Sequence, residues 1–201
     1  MKIGVIADVH NNVLALNAVL EYFVSEDCTE ILCCGDIIGI GPYPEETVQK
    51  IMATPNLKCV LGNHEKYLIY GLKPPYPDGM QEGEAKHHLW EHSQLSSASK
   101  EYIQRLPYKL ELEREKNKIL VLHYAMDYNN NYINGKSNPT LYDCKNMFAD
   151  YNADIILYGH RHMPSFISSD KKMYINCGSL GCPHNFEGIA KGGILTLNEN
   201  N

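Results

Sequence analysis

Residues 2–23, KIGVIADVHNNVLALNAVLEYF, begin with an unbroken apolar run and continue with apolar positions at helical spacing. The run over 2–7 is short and ends at Asp8, the mark of a strand buried on both faces. From Val13 the period becomes helical, and Asn11 or Asn12 can cap the new element. The same order then recurs. EILCC (30–34) is a second strand, closed by Gly35-Asp36. Residues 44–52 are a second helix, in which Pro44 suits the first turn and Glu45 and Glu46 suit its positive end. LKCVL (57–61) is a third strand, closed by Gly62-Asn63. Strand–helix–strand–helix–strand in this order makes the first third α/β with a parallel sheet.

Beyond this stretch the pattern changes. Residues 64–105 hold helical segments around a Pro-rich break, KPPYPDG (73–79). YKLELE (108–113) and KILVLH (118–123) flank a turn-like REKN and predict a hairpin. An Asn-rich polar loop over 129–139 is long enough for a lid or a mobile rim, and a solvated connection fits it equally well. A helix over about 140–151, a strand over 154–159 and short strands near 165–169, 172–177 and 193–198 complete the chain. No repeat or composition break divides it, so a single domain over 1–201 is expected, with 64–118 as a mainly helical, cap-like segment ending in the hairpin.

The 201 residues are enough for a core without disulfides. Hydrophobic residues make up 44% and charged ones 21%, ordinary globular usage that excludes a disordered or fibrous chain. The net charge of −6 disfavours a broad grip on long nucleic acid. No run of 18 apolar residues is present, so no membrane span is expected. The first ten residues do not read as an export signal. Seven Cys without a CxxC pair then point to reduced thiols, several of them buried, and to the cytoplasm.

The chemistry lies at strand ends. Asp8 and His10 close the first strand at i, i+2 spacing, which turns both side chains the same way. Asp36 closes the second strand, and Asn63 and His64 the third, each after a Gly. His123 closes the hairpin, and Gly159-His160-Arg161-His162 closes a later strand. In open α/β sheets, ligands bind beyond the carboxyl ends of the strands. A lone DxH arises often by chance, but five segments delivering such groups in this order do not. Carboxylate, imidazole and amide without thiolate suit Mn, Fe, Co, Ni or Zn.

The series Asp8-x-His10, Gly35-Asp36-x-x-Gly39, Gly62-Asn63-His64-Glu65, His123 and Gly159-His160-x-His162 resembles the calcineurin-like metallophosphoesterase superfamily. DVHNNVLALNAVL and GDIIGIGPYP look most like its small bacterial and archaeal phosphodiesterase/phosphatase branch. The resemblance implies a four-layer α/β/β/α sandwich of two packed mixed sheets and a dinuclear centre of divalent transition-metal ions. By resemblance, one ion would be held by Asp8, His10, Asp36 and His162. The second would be held by Asp36, Asn63, His123 and His160, so that Asp36 is shared. His64 would be the general acid rather than a ligand. A water shared by two cations loses a proton readily and attacks phosphorus in line. The implied substrates are small phosphodiesters or phosphomonoesters, including nucleotides, with dinucleoside polyphosphates as the alternative. A non-catalytic interaction scaffold is the competing class, and the complete ligand set with His64 argues against it.

Some positions depart from the family pattern. The Asp-Arg pair of the protein phosphatase branch is missing after Asp36. Cys177 stands where Pro commonly follows Asn176, and Cys182-Pro183-His184 replaces a stretch often read as Gln-Pro-Arg, which offers His184 as a substrate contact. His87, His88 and His92 raise a second metal site, with Glu84, His88 and His92 on one helical face at i, i+4 spacing, but no closing ligand pair is evident and a solvated face is the favoured reading. Trp90, Tyr67, Tyr70 and Tyr76 read as packing residues of the helical layer, with a cap over the site as the alternative.

Overall fold

The computed structural model describes residues 1–77, 80–133, 136, 138–169, 171–182 and 188–198. In chain order the elements are β1 (Lys2–Ile6), α1 (Val13–Ser25), β2 (Glu30–Cys33), α2 (Pro44–Ala53), β3 (Leu57–Cys59), α3 (Asn63–Tyr70), α4 (Glu82–Gln94) and α5 (Ser97–Gln104). They continue with β4 (Lys109–Arg114), β5 (Asn117–Leu122), α6 (Leu141–Met147), β6 (Ile155–Tyr158), β7 (Ser165–Ser168), β8 (Met173–Asn176) and β9 (Gly193–Thr196).

The first sheet has the order β3-β2-β1-β9, with three parallel strands and an antiparallel β9. The second has the order β4-β5-β6-β8-β7, parallel in its centre and antiparallel at both edges. Alternation along each strand builds the layers. Ile3, Val5 and Ala7 meet Val121, Ile155 and Leu157 between the sheets. Ile6, Ile31 and Cys33 pack against Leu16, Leu20 and Phe23 of α1 and Ile51 of α2. Leu120, Leu122 and Ile156 pack against Cys144 of α6 and Phe148. The result is the α/β/β/α sandwich. Each fully buried side chain of this kind contributes about 1.5–3 kcal/mol relative to exposure.

Local chemistry sets the element ends. Asn12, not Asn11, caps α1: its Oδ1 accepts from the Ala15 N–H at 3.0 Å. Thr140 and Asp143 form a capping box on α6, which stops at Met147 where Phe148 turns into the core. The hairpin turns through Glu115 and Lys116, both at positive φ, although neither is the Gly or Asn that such a turn favours. All seven cysteines are free, five of them buried. Among the described residues no helix is long and apolar enough to cross a membrane.

Two links tie the layers. Leu61 N–H donates to the Pro107 carbonyl at 2.8 Å, so α3, α4 and α5 leave and re-enter the sandwich at adjacent points. Glu30, buried on β2, accepts both arms of the Arg114 guanidinium at 2.8 and 2.9 Å and also pairs with Lys58. The Arg114 hydrogen bonds hold the Glu30 carboxyl below its ordinary value; burial opposes them and Lys58 adds to them. A carboxylate depressed in the folded state stabilises above its unfolded value, about 4.3, and that stabilisation is lost as pH falls through the folded one. Glu30→Gln is therefore expected to lower the melting temperature at pH 6 and to bring it closer to the parent at pH 3. Parallel melting curves across that range check this.

Candidate functional site

Strands β1, β2, β3, β5 and β6 all deliver polar residues to one edge of the sandwich. Asp8, His10, Asp36, His160 and His162 leave their strands with φ between 47° and 74°, left-handed backbone that side-chain-bearing residues seldom adopt. Such residues cost about 1–3 kcal/mol each and persist where surrounding bonds over-determine them. Here Asp8 N–H donates to Gly35 O at 3.0 Å, His10 N–H to Asp36 O at 3.0 Å and Asn11 N–H to Ile37 O at 2.9 Å.

The side chains converge. His10 Nε2 and His162 Nε2 stand 3.0 Å apart, and His162 Nε2 lies 3.7 Å from Asp8 Oδ1. Asn63 Oδ1 lies 3.0 Å from both His123 Nε2 and His160 Nδ1. His123 Nε2 is 3.2 Å from Asp36 Oδ2, and His64 Nε2 is 3.8 Å from the same oxygen. Donor atoms of Asp8, His10 and His162 form one close group and those of Asp36, His123 and His160 another, and Asp36 also closes a group with His10 and His64. All seven ligand candidates and His64 are thus brought together. His184 lies outside the described residues, as does part of the 129–139 loop.

Outer contacts hold these groups in place. His123 Nδ1 meets the Cys34 carbonyl at 2.8 Å and His10 Nδ1 the Ile38 carbonyl at 3.2 Å, which turns the opposite nitrogens inward. The Asp8 carboxylate accepts from the His160 N–H at 3.0 Å, and Ser179 Oγ donates to the Asp8 carbonyl at 2.8 Å. Asp36 Oδ1 accepts from the His64 N–H at 3.0 Å, at the positive end of α3. Gly62 is needed there, because a Cβ on it would fall inside the Asp36 carboxylate. Gly39, at φ 96°, leaves room for the His64 ring in the same way.

Several contributors have no signature in residue spacing. Glu65, fully buried, accepts from the N–H groups of Gly62 at 2.7 Å, Asp36 at 3.0 Å and Ile38 at 3.0 Å. Tyr132, in the Asn-rich loop, stacks on His160 with ring centroids 5.8 Å apart and donates to the Leu61 carbonyl. That part of the loop packs on the site. The helix face read as solvated is not: His88 and Glu91 are buried, and the His88 ring lies 4.8 Å from that of His64. The face carries polar residues because its partners, His64 and Asn11, are themselves polar. Tyr67 lies 5.4 Å from His64, while Trp90 and Tyr70 are exposed.

Burial and neighbouring charge act differently on the individual groups. Burial lowers the His10, His160 and His162 imidazoles, His160 to about 3, so these rings keep free lone pairs at neutral pH. Burial also lowers His123, but the charge and hydrogen bond of Asp36, with Asp8, outweigh it and push the ring up to about 10. Asp36 is lifted by burial and pulled well below its ordinary value by His123 and His64. Two carboxylates, one amide oxygen and four imidazoles fit a pair of borderline divalent ions.

Known proteins share the fold and much of the chain. A protein of Methanocaldococcus jannaschii, itself uncharacterized, is 30% identical, and the match covers 98% of this chain and 82% of that protein. A metallophosphoesterase from Sphaerobacter thermophilus superposes with a TM-score of 0.75 at 24% identity, over 97% of this chain and 83% of that one. A hypothetical protein from Pyrococcus horikoshii gives 0.77 at 22% identity, over 96% and 86%. The family model of the calcineurin-like phosphoesterase superfamily domain matches residues 1–200, and with strand-end carboxylates and imidazoles gathered at one sheet edge, the chain belongs to that superfamily.

Proposed function

We propose that the chain is a metal-dependent phosphoester hydrolase with a dinuclear centre, acting on small phosphodiesters or phosphomonoesters, nucleotides among them. One observation carries the reading: Asp36 groups with His123 and His160 on one side and with His10 on the other, and His10 groups in turn with Asp8 and His162, so one carboxylate stands between the two donor sets. Asp8, His10, Asp36 and His162 would hold one ion, and Asp36, Asn63, His123 and His160 the other. Two divalent ions held by these residues would supply Lewis acidity to a phosphoryl oxygen and lower the pKa of a bound water.

The protein's own groups do the rest. Glu65 and the first turn of α3 fix the Asp36 carboxylate. Tyr132 fixes the His160 ring. His64 stands at the rim on α3 with Nε2 towards Asp36, positioned to hand a proton to the departing oxygen. Burial holds its imidazole below the ordinary value, with the Asp36 charge opposing. The helices within 64–118 stand beside this rim and would select the substrate, while the hairpin of that stretch forms the edge of the second sheet.

His64→Ala is expected to keep its metal but to lose roughly 10²–10⁴-fold in kcat on alkyl esters, which need protonation, and far less on nitrophenyl esters, which do not. Equal losses on both would remove His64 from the role. A panel of bis-aryl phosphate, aryl phosphate, cyclic nucleotide and dinucleoside polyphosphate against Mn, Ni, Zn, Co and Fe tests the whole reading. Full activity after exhaustive metal removal would overturn it.

A further inference from the structure

Outside the Asp8–His162 cluster, one other set of donors converges among the described residues. Helix α4 carries His88-Leu89-Trp90-Glu91-His92, which places His88, Glu91 and His92 on one face at i, i+3 and i+4. That face is turned inward: His88 is 1% exposed, Glu91 0%, and the His92 side chain 12%. The two oxygens of Glu91 are divided. Oε2 accepts from Asn11 Nδ2 at 2.8 Å, which fixes the carboxylate plane. Oε1 then faces two imidazoles, 3.0 Å from His88 Nδ1 and 3.6 Å from His92 Nε2.

A proton shared between Glu91 and His88 accounts for the first contact alone. His92 Nε2 stays buried with no hydrogen-bond partner among the described residues, aimed at an oxygen beyond hydrogen-bond reach. A cation between the three atoms gives all of them a partner. Their mutual distances all lie within 4.8 Å. Ligands about 2.0–2.1 Å from a tetrahedral ion stand roughly 3.3 Å from one another, close to the two contacts above. Burial pushes the His92 imidazole down to about 4, so its lone pair is free at neutral pH. His88 Nε2 is likewise buried without a hydrogen-bond partner among the described residues, with Glu84 Oε1 3.9 Å away.

We propose that His88, Glu91 and His92 form a further metal site of the zinc class, separate from the Asp36 centre. Two imidazoles and one carboxylate leave a fourth position for water. The ion clamps α4 onto the loop at Asn11, one residue from His10, and places a positive charge beside the His64 ring. The site thereby joins the helical layer to the catalytic edge through coordination, independently of the reaction performed there.

The test is metal stoichiometry with Zn²⁺ or Co²⁺ alone, measured after equilibrium dialysis on the full chain. His92→Gln is expected to hold one equivalent fewer than the parent. Asp36→Asn is expected to retain one equivalent, with ligand-field absorption in Co²⁺ of a low-coordinate site, and Asp36→Asn/His92→Gln is expected to lose it. Melting curves give a second measure. In chelator His92→Gln and the parent should unfold alike; with Zn²⁺ added to the Asp36→Asn background, only protein retaining His92 should shift upward. Unchanged metal content and an unchanged Zn²⁺ shift on His92→Gln would overturn the proposal. A failure of the dinuclear reading shows separately, as Asp36→Asn protein with the parent's full metal content, and the His92 comparison is then decided in the parent background.

Discussion

Asp36→Ala protein is expected to emerge from purification nearly devoid of metal in the Asp8–His162 cluster and inactive towards bis-aryl phosphate. Losing an outer hydrogen-bond partner of a ligand typically costs 10–100-fold in metal affinity or activity. Asp36 is far more than such a partner. Its carboxylate lies 3.2 Å from His123 Nε2 and 3.8 Å from His64 Nε2, and accepts from the first turn of α3. Removing it takes away the carboxylate that faces His123 and His64, and lowers the affinity of both halves of the centre at once. The expected loss of activity is therefore about 10³-fold or greater. Metal analysis with a parallel assay checks this. An Asp36→Ala protein that kept both its metal and its turnover would remove the shared ligand from the scheme.

The second large effect concerns stability. Glu65→Ala leaves the N–H groups of Gly62, Asp36 and Ile38 buried without their acceptor. Each unsatisfied buried donor costs about 1–3 kcal/mol, so a destabilisation of roughly 3 kcal/mol or more is expected. Burial, with Asp36 adding to it, pushes the Glu65 carboxyl up to about 7. Glu65→Gln should cost less than Ala, since its one carbonyl oxygen can still accept from Gly62 and Asp36 while Ile38 N–H loses its acceptor. Urea unfolding of the three proteins measures the order. An Ala variant as stable as the Gln variant would mean that the three donors find other acceptors.

The contrast between Asp36 and Glu65 explains what the chain makes legible. Asp8, His10, Asp36, Asn63, His64, His123, His160 and His162 can be read because strand period and a following Gly place them at one edge. The parallel start is legible for the same reason: βαβ connections leave one handedness and one sheet. Glu65 is not legible as a support, because its partners are backbone groups from two other segments, and backbone groups carry no residue identity. Tyr132 meets His160 only through the path of a polar loop. The face of α4 misleads, since polarity on a helix predicts exposure only when its neighbours are apolar or absent, and here they are His64 and Asn11. β9 could be recognised as a strand, but its place beside β1 rather than in the second sheet rests on a pairing across nearly the whole chain.

The hydrogen bond between Leu61 and Pro107 gives the molecule a modular character. Everything between these residues is, topologically, a loop whose two ends are already joined. Closure entropy grows only with the logarithm of loop length, by about 0.6 kcal/mol per doubling, so lengthening or shortening the insert leaves the sandwich nearly untouched. The insert nevertheless carries His64 and the His88–Glu91–His92 face to the catalytic edge. Exchange of α4 and the loops around it, with Asn63, His64 and Glu65 of α3 kept, would on the proposed reading retune which ester is accepted while the ligands on β1, β2, β5 and β6 keep their positions.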